Sequence, residues 1–234
     1  MKILVCPTAL LPSLFLSTAA FAQTVLYDLD FTAPEVGSYS VLYGAPTVVP
    51  SFYGMSDALL FRAKGTNWDA ITLSLGARPS GYTIDFDVFT YSLRNSSYSF
   101  NVLLSTPGTR TVYFHGGENA IEVYQPYPYT DQGVLAFADY VRYHVTILSD
   151  FPNNRWELAV NGVPVYENVF NASDIQDVGF SLTPWFMGAR DNPNVLVALD
   201  NIRVEAIPEP SACSLLVFAL LVARGSRRLL LYER

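Results

Sequence analysis

The chain has 234 residues, of which 15% are charged, with a net charge of −7, two histidines and two cysteines. Between Gln23 and Pro210, nine Lys and Arg stand against 20 Asp and Glu, a net −11, and Lys64 is the only lysine in that stretch. Such a body repels nucleic acid and anionic lipid. A disulfide framework is excluded because Cys6 and Cys213 both lie outside the body.

In chain order, Met1-Lys2 supplies a positive start, Ile3 to Leu16 is apolar, and Ala20-Phe21-Ala22 is an A-x-A cleavage pattern. Together they read as a secretory signal peptide, residues 1–22, cut before Gln23. The apolar run is too short to span a bilayer, and Pro7 and Pro12 interrupt it, which argues against a retained membrane helix.

The body, residues 23–207, is long enough for one β-sandwich. Its dominant signal is alternation with period two. Val25, Tyr27, Leu29 and Phe31 alternate with Leu26, Asp28 and Asp30. Further strands are predicted at Ala58–Arg62, Ala70–Leu75, Tyr82–Val88, Tyr98–Leu104, Thr111–His115, Ala120–Tyr124 and Gly133–Phe137. Val141–Ile147, Trp156–Val160, Val163–Tyr166, Val178–Leu182 and Val195–Glu205 complete the set. Asn161-Gly162 between two of these runs predicts a two-residue type I′ hairpin, and Gly116-Gly117-Glu118-Asn119 a second turn. Pro164 assigns its strand to a sheet edge. In the last strand Val195, Val197 and Leu199 give way to Ile202 and Val204, a phase slip that predicts a bulge near Asp200-Asn201. Ala172–Asp177 offers one helical turn at most.

Strands with one apolar face imply antiparallel sheets packed face to face. About a dozen short strands predict an all-β jelly-roll sandwich.

After the body, residues 208–234 hold Pro208-Glu209-Pro210, an uncharged stretch from Ser211 to Ala223, and then Arg224, Arg227 and Arg228. This order resembles the PEP-CTERM sorting signal. The resemblance implies an exported surface or extracellular-matrix protein, docked transiently in the inner membrane and processed by an exosortase. Independently, the prolines favour an extended segment, and the arginines stay cytoplasmic by the positive-inside rule. The uncharged run of 13 residues makes about 20 Å of helix against a hydrocarbon core of about 30 Å. Transient docking of this short apolar helix, followed by release, is therefore expected in preference to a lasting tether.

Residues Tyr140 to Tyr166 run strand, short acidic loop, strand with Trp156, Asn161-Gly162 and return strand. This resembles the laminin-G and concanavalin A-like group. That group includes glucanases, whose retaining members carry two glutamates and an aspartate on alternate residues of one strand. Here the nearest strand offers only Asp85 and Asp87, read as solvated outer-face residues. His115 and His144 lie in different strands, and His144 falls in the polar phase, so no triad or zinc set is predicted. The expectation is a protein that is not an enzyme.

Two ligand readings remain. Calcium is held by carboxylate and carbonyl oxygens, and in jelly-roll modules that carry it the ion sits where the first and last strands meet. Asp28, Asp30 and Asp200 stand in suitable places, with ordinary outward-facing acids as the alternative. Saccharide binding needs an exposed aromatic plane. Tyr127 and Tyr129, in the proline-stiffened segment Tyr124 to Asp131, and Trp185, ahead of a polar loop, are the candidates for contact with exopolysaccharide. Capping of the core is their alternative role. Trp156 is predicted to be core.

Overall fold

The computed structural model describes residues 24–32, 37–63, 69–76, 81–105, 110–126, 129–169, 176–185 and 194–207. Fifteen strands lie among them: β1 (Thr24–Leu29), β2 (Ser40–Tyr43), β3 (Thr47–Phe52), β4 (Met55–Arg62), β5 (Asp69–Ser74), β6 (Gly81–Tyr91), β7 (Tyr98–Ser105), β8 (Arg110–His115), β9 (Ala120–Pro126), β10 (Tyr129–Ala136), β11 (Arg142–Asp150), β12 (Arg155–Val160), β13 (Val163–Val169), β14 (Asp177–Pro184) and β15 (Leu196–Ala206). Among the described residues no helix is long and apolar enough to cross a membrane. The signal-peptide and sorting-tail segments lie outside the described residues, as does most of the predicted helical turn, while Asp177 opens β14.

The strands form two antiparallel sheets. The first runs β13-β12-β11-β6-β15-β4-β3, with β1 also paired to β15, and the second runs β10-β9-β8-β7-β14-β5-β2. Alternation explains the sandwich: inward residues such as Tyr82, Ile84, Phe86 and Val88 of β6 are fully buried against the facing sheet. Aromatic contacts cross the interface, with Phe86 edge-on to Phe180 at 5.2 Å and Phe61 edge-on to Phe100 at 5.7 Å. Trp156 is completely buried in this core, as its phase predicts.

The legible turns are present. Asn161 and Gly162 have φ of +52° and +75°, the type I′ signature, and β13 with Pro164 is the edge of its sheet. β2 and β3 escaped the sequence reading. β2 is exposed throughout and both strands are sheet edges, so neither needs the alternating pattern that betrays a half-buried strand. The segment Tyr124 to Asp131 is not a long loop. β9 extends to Pro126 and pairs with Tyr129 at the start of β10, leaving only residues 127 and 128 between them.

The predicted bulge in β15 sits at a change of partner. On one edge of β15, Leu196 to Leu199 pair with β4 and Ile202 to Ala206 pair with β1, and the register against β6 shifts between Asp200 and Arg203. Asn201 takes φ of +51°, a conformation asparagine tolerates better than other non-glycine residues.

Candidate functional site

The outer face of the first sheet holds two adjoining zones. In one, Met55, Ala58, Leu60, Phe89 and Ala198 form a second small apolar cluster, joined by Val49, Phe52, Tyr91 and Leu196. The outward phase of β6 is therefore polar at Asp85 and Asp87 but apolar from Phe89 onward. Tyr53, Tyr91 and Tyr140 close over this zone. Tyr53 stacks on Phe89, and Tyr91 meets Tyr140 edge-on at 5.1 Å. Tyr53 is 59% exposed and Tyr140 57%. Both rings meet Tyr91, and the electrostatic influence of Tyr53 and Tyr140 raises the Tyr91 phenol above its ordinary pKa.

Local backbone geometry places these rings. Phe52 pairs with Met55, so Tyr53-Gly54 is a two-residue hairpin loop with φ of +48° and +84°. Tyr140 also has positive φ, +64°. Its N–H donates to the Thr90 carbonyl at 2.9 Å. The neighbouring Asp139 carboxylate accepts the Leu93 and Arg94 amides at 3.0 Å each, tying this turn to the segment just past Tyr91. Two bulky residues in the left-handed region are outliers, and such strain concentrates at functional positions.

The second zone is organised by Asp87. One of its oxygens accepts from Arg142 and from Asn201 Nδ2 (2.7 Å), and the other takes His144 Nδ1 at 3.0 Å. A carboxylate in this ionised state only accepts, so Nδ1 of His144 carries the proton. His144 Nε2 lies 3.7 Å from Asp85 Oδ1, and Thr146 Oγ1 donates to that same oxygen at 2.6 Å. Burial works against the Asp87 charge, but hydrogen bonds from Arg142, Asn201 and His144 outweigh it and hold the carboxyl below the usual range. Arg142 pairs with Phe89 across the β11–β6 ladder, which makes the polar and aromatic zones continuous.

Asp85 and Asp87 thus differ from their sequence reading as solvated acids. They do occupy the outer face, but Asp87 is only 6% exposed because β15 folds its bulge over it. His144 likewise has a fixed partner, with Nδ1–H on Asp87 and Nε2 turned toward the side of Asp85. Neither role was legible, because both depend on strands 57 and 114 residues away in sequence.

Asp200 is the cross-strand neighbour of Asp87. Desolvation raises its pKa, and the nearby charges of Asp87 and Asp30 add to the rise, while Asn201 N–H and Arg142 counter it. One carboxyl pushed up beside one pushed down is the pattern of an acid–base pair. Here Asp200 is 3% exposed and both oxygens of Asp87 are engaged, so the pair offers a glycosidic bond no approach.

Of the acids proposed for calcium, Asp30 and Asp200 share an electrostatic neighbourhood, whereas Asp28 lies opposite Arg203 in the β1–β15 ladder. The Asp30 carboxylate accepts from the Thr32 backbone and hydroxyl, which lowers its pKa. Among the described residues no group of three or more His, Cys, Asp or Glu is arranged to hold a metal ion. Tyr127 lies outside the described residues, and Tyr129 is placed only as a strand residue. Trp185 is described and stands on the other sheet, away from the tyrosine zone. Pro208, Glu209, Pro210, Arg224, Arg227 and Arg228 fall outside the described residues.

No family model matches this chain, and no curated protein does. Solved structures do. The binding domain of botulinum neurotoxin serotype C1 aligns over 84% of this chain and 52% of its own, at 10% identity and a TM-score of 0.58. A Bacillus subtilis protein of unknown function with a galectin-like fold aligns over 79% of this chain and 98% of its own, at 9% identity and a TM-score of 0.55. A sialidase aligns over 71% of this chain but 16% of its own, at 10% identity and a TM-score of 0.53. The chain therefore spans about half of the toxin domain and a sixth of the sialidase. At these identities the likeness shows the β-sandwich fold.

Proposed function

We propose that this chain is a noncatalytic saccharide-binding module, exported and delivered to the cell surface or exopolysaccharide matrix. The observation that carries the binding reading is the exposed Tyr53–Tyr91–Tyr140 cluster continuous with Arg142 and His144. Sugar rings stack their apolar faces on aromatic planes, and their hydroxyls need fixed donors and acceptors at the rim. Arg142 and His144, each about half exposed, are held in place by Asp87: Arg142 supplies the donors, and His144, with its Nδ1–H committed to Asp87, supplies Nε2 as an acceptor. Acids outnumber bases around them, with Asp85, Asp87, Asp200 and Glu205 against Arg142 and Arg203, so a neutral polysaccharide fits and a uronate-rich one is repelled. The galectin-like and toxin-binding-domain neighbours support a binding fold, and the laminin-G and concanavalin A-like resemblance of the second half belongs to the same reading.

Export and sorting rest on the sequence: the signal peptide, the Pro208-Glu209-Pro210 tail and the arginines after it. An exosortase is the proposed processing partner. A glycan array probed with the full chain tests the binding reading. It predicts neutral hexose polymers among the positive spots and uronate polymers among the blanks, with the signal weakened in Tyr140→Ala. Mass spectrometry of surface protein tests the sorting reading, which predicts peptides ending upstream of Arg234. Intact Arg234 on the mature form would contradict release.

A further inference from the structure

The outer face of the second sheet carries a separate aromatic feature. Trp185 follows β14 and is 49% exposed, yet it is firmly held. Its backbone N–H donates to the Ser97 carbonyl at 3.1 Å and its indole Nε1 donates to the Ser96 carbonyl at 3.2 Å. The ring lies over Gly117, where an added Cβ would stand 3.0 Å from Cζ2, so the absence of a side chain there is what seats the indole. His115 flanks it with ring centroids 5.1 Å apart, and Tyr113 continues the row edge-on to His115 at 6.0 Å.

The tautomer of His115 is set by its neighbour. The Glu118 amide donates to Nδ1 at 3.0 Å, so in the neutral ring the proton sits on Nε2. A fixed N–H donor therefore stands beside a fixed, half-exposed indole. Ordering a large side chain on binding costs free energy, and here that ordering is already complete in the free protein. A lone exposed tryptophan needs no explanation. One held by two hydrogen bonds and a glycine seat, with an oriented donor alongside, has the construction of a stacking platform.

We propose that Trp185 and His115 form a second saccharide-stacking site, on the sheet opposite Tyr53, Tyr91 and Tyr140, so that one molecule bridges two polysaccharide chains. The class of ligand rests on the reading of the tyrosine face; the existence of the second site does not. A two-faced module cross-links a polymer matrix, which a one-faced module cannot do however tightly it binds.

The full chain is tested by affinity electrophoresis, tryptophan emission and light scattering, using dextran, laminarin and galactomannan as probes. The second site predicts an emission shift on adding the retarding probe, lost in Trp185→Phe. It also predicts scattering that rises and then falls as the protein-to-polysaccharide ratio increases. Trp185→Ala, and separately the pair Tyr53→Asn with Tyr140→Ala, should each keep some retardation while abolishing the scattering peak. Gly117→Ala, which presses a Cβ against the indole at 3.0 Å without removing it, should lower the scattering peak in the same direction as Trp185→Ala and guards against misfolding of the larger change. If Trp185→Ala and Gly117→Ala leave both emission shift and scattering intact, the second site is overturned while the tyrosine face stands. If only the Trp185 variants lose retardation, the tyrosine face and the bridging both fail. Retardation by none of the three probes overturns both sites.

Discussion

Tyr53 stacks on Phe89 with ring centroids 4.9 Å apart and planes 16° from parallel. The stack secures a side chain whose backbone is unfavourable, because Tyr53 occupies a left-handed turn position that suits asparagine. The corresponding turn at Asn161-Gly162 uses the favoured residue. Left-handed geometry costs a tyrosine roughly 1–2 kcal/mol, and an aromatic stack returns about 0.5–1.5 kcal/mol. Tyr53→Asn is therefore expected to change unfolding free energy by less than about 1 kcal/mol while weakening saccharide retention. Urea unfolding and affinity electrophoresis read the two effects separately. A loss of more than about 3 kcal/mol would make Tyr53 a core residue rather than a surface one.

Asp87→Asn removes the charge that gathers Arg142, His144 and Asn201. Hydrogen bonds to charged groups contribute about 1.5–3 kcal/mol, so a loss near 2 kcal/mol is expected in urea unfolding. The pH dependence has a definite sign. The folded carboxyl is held below its ordinary value, so its contribution is present above the unfolded pKa and is lost as pH falls through the folded one. The acid limb of the stability curve should flatten in Asp87→Asn. An unchanged acid limb would contradict the assignment.

Asp200 carries the opposite sign. Burial raises its pKa, so its ionised form is penalised in the folded state at any pH above that raised value. Asp200→Asn keeps an oxygen to accept the Asn201 amide and removes the charge. Thermal melting at pH 7 should show a higher Tm than wild type, with the difference shrinking as pH falls and Asp200 becomes protonated in the folded and the unfolded chain alike. A lower Tm at pH 7 would show that the charge has a partner that stabilises it.

The sandwich was legible because each core strand buries one face, and the bulge because its two halves carry opposite phase. Pro164 and Asn161-Gly162 act through local backbone geometry, which sequence alone reveals. The site was not legible for a complementary reason. Asp87, Arg142, His144 and Asn201 belong to three strands, and each alone looks like an ordinary outer-face residue. Tyr53 sits in a turn that the Asn-Gly rule passes over, although a Tyr-Gly dipeptide between Phe52 and Met55 was a signal available to reading. Trp185 was recognised as a candidate from its place before a polar loop, but its glycine seat at residue 117 required the fold.

Asn161 also frames the site from behind. Its side-chain oxygen accepts the His144 amide at 2.9 Å and its own amide donates to the His144 carbonyl at 2.7 Å. Asn161→Ala loses the side-chain bond and puts alanine at φ of +52°. The two costs together come to about 2 kcal/mol, and Asn161→Gly should recover roughly half of that. Equal losses in the two variants would mean that the turn conformation contributes nothing.

The tyrosine face is tested most directly by affinity electrophoresis of the full chain through gels cast with neutral polysaccharide. The account predicts retardation of wild type, a clear reduction of it in the Tyr53→Asn, Tyr140→Ala double variant to what the Trp185 site alone supplies, and no retardation in alginate gels. Retardation by alginate alone, or a double variant running like wild type in every neutral gel, would contradict it.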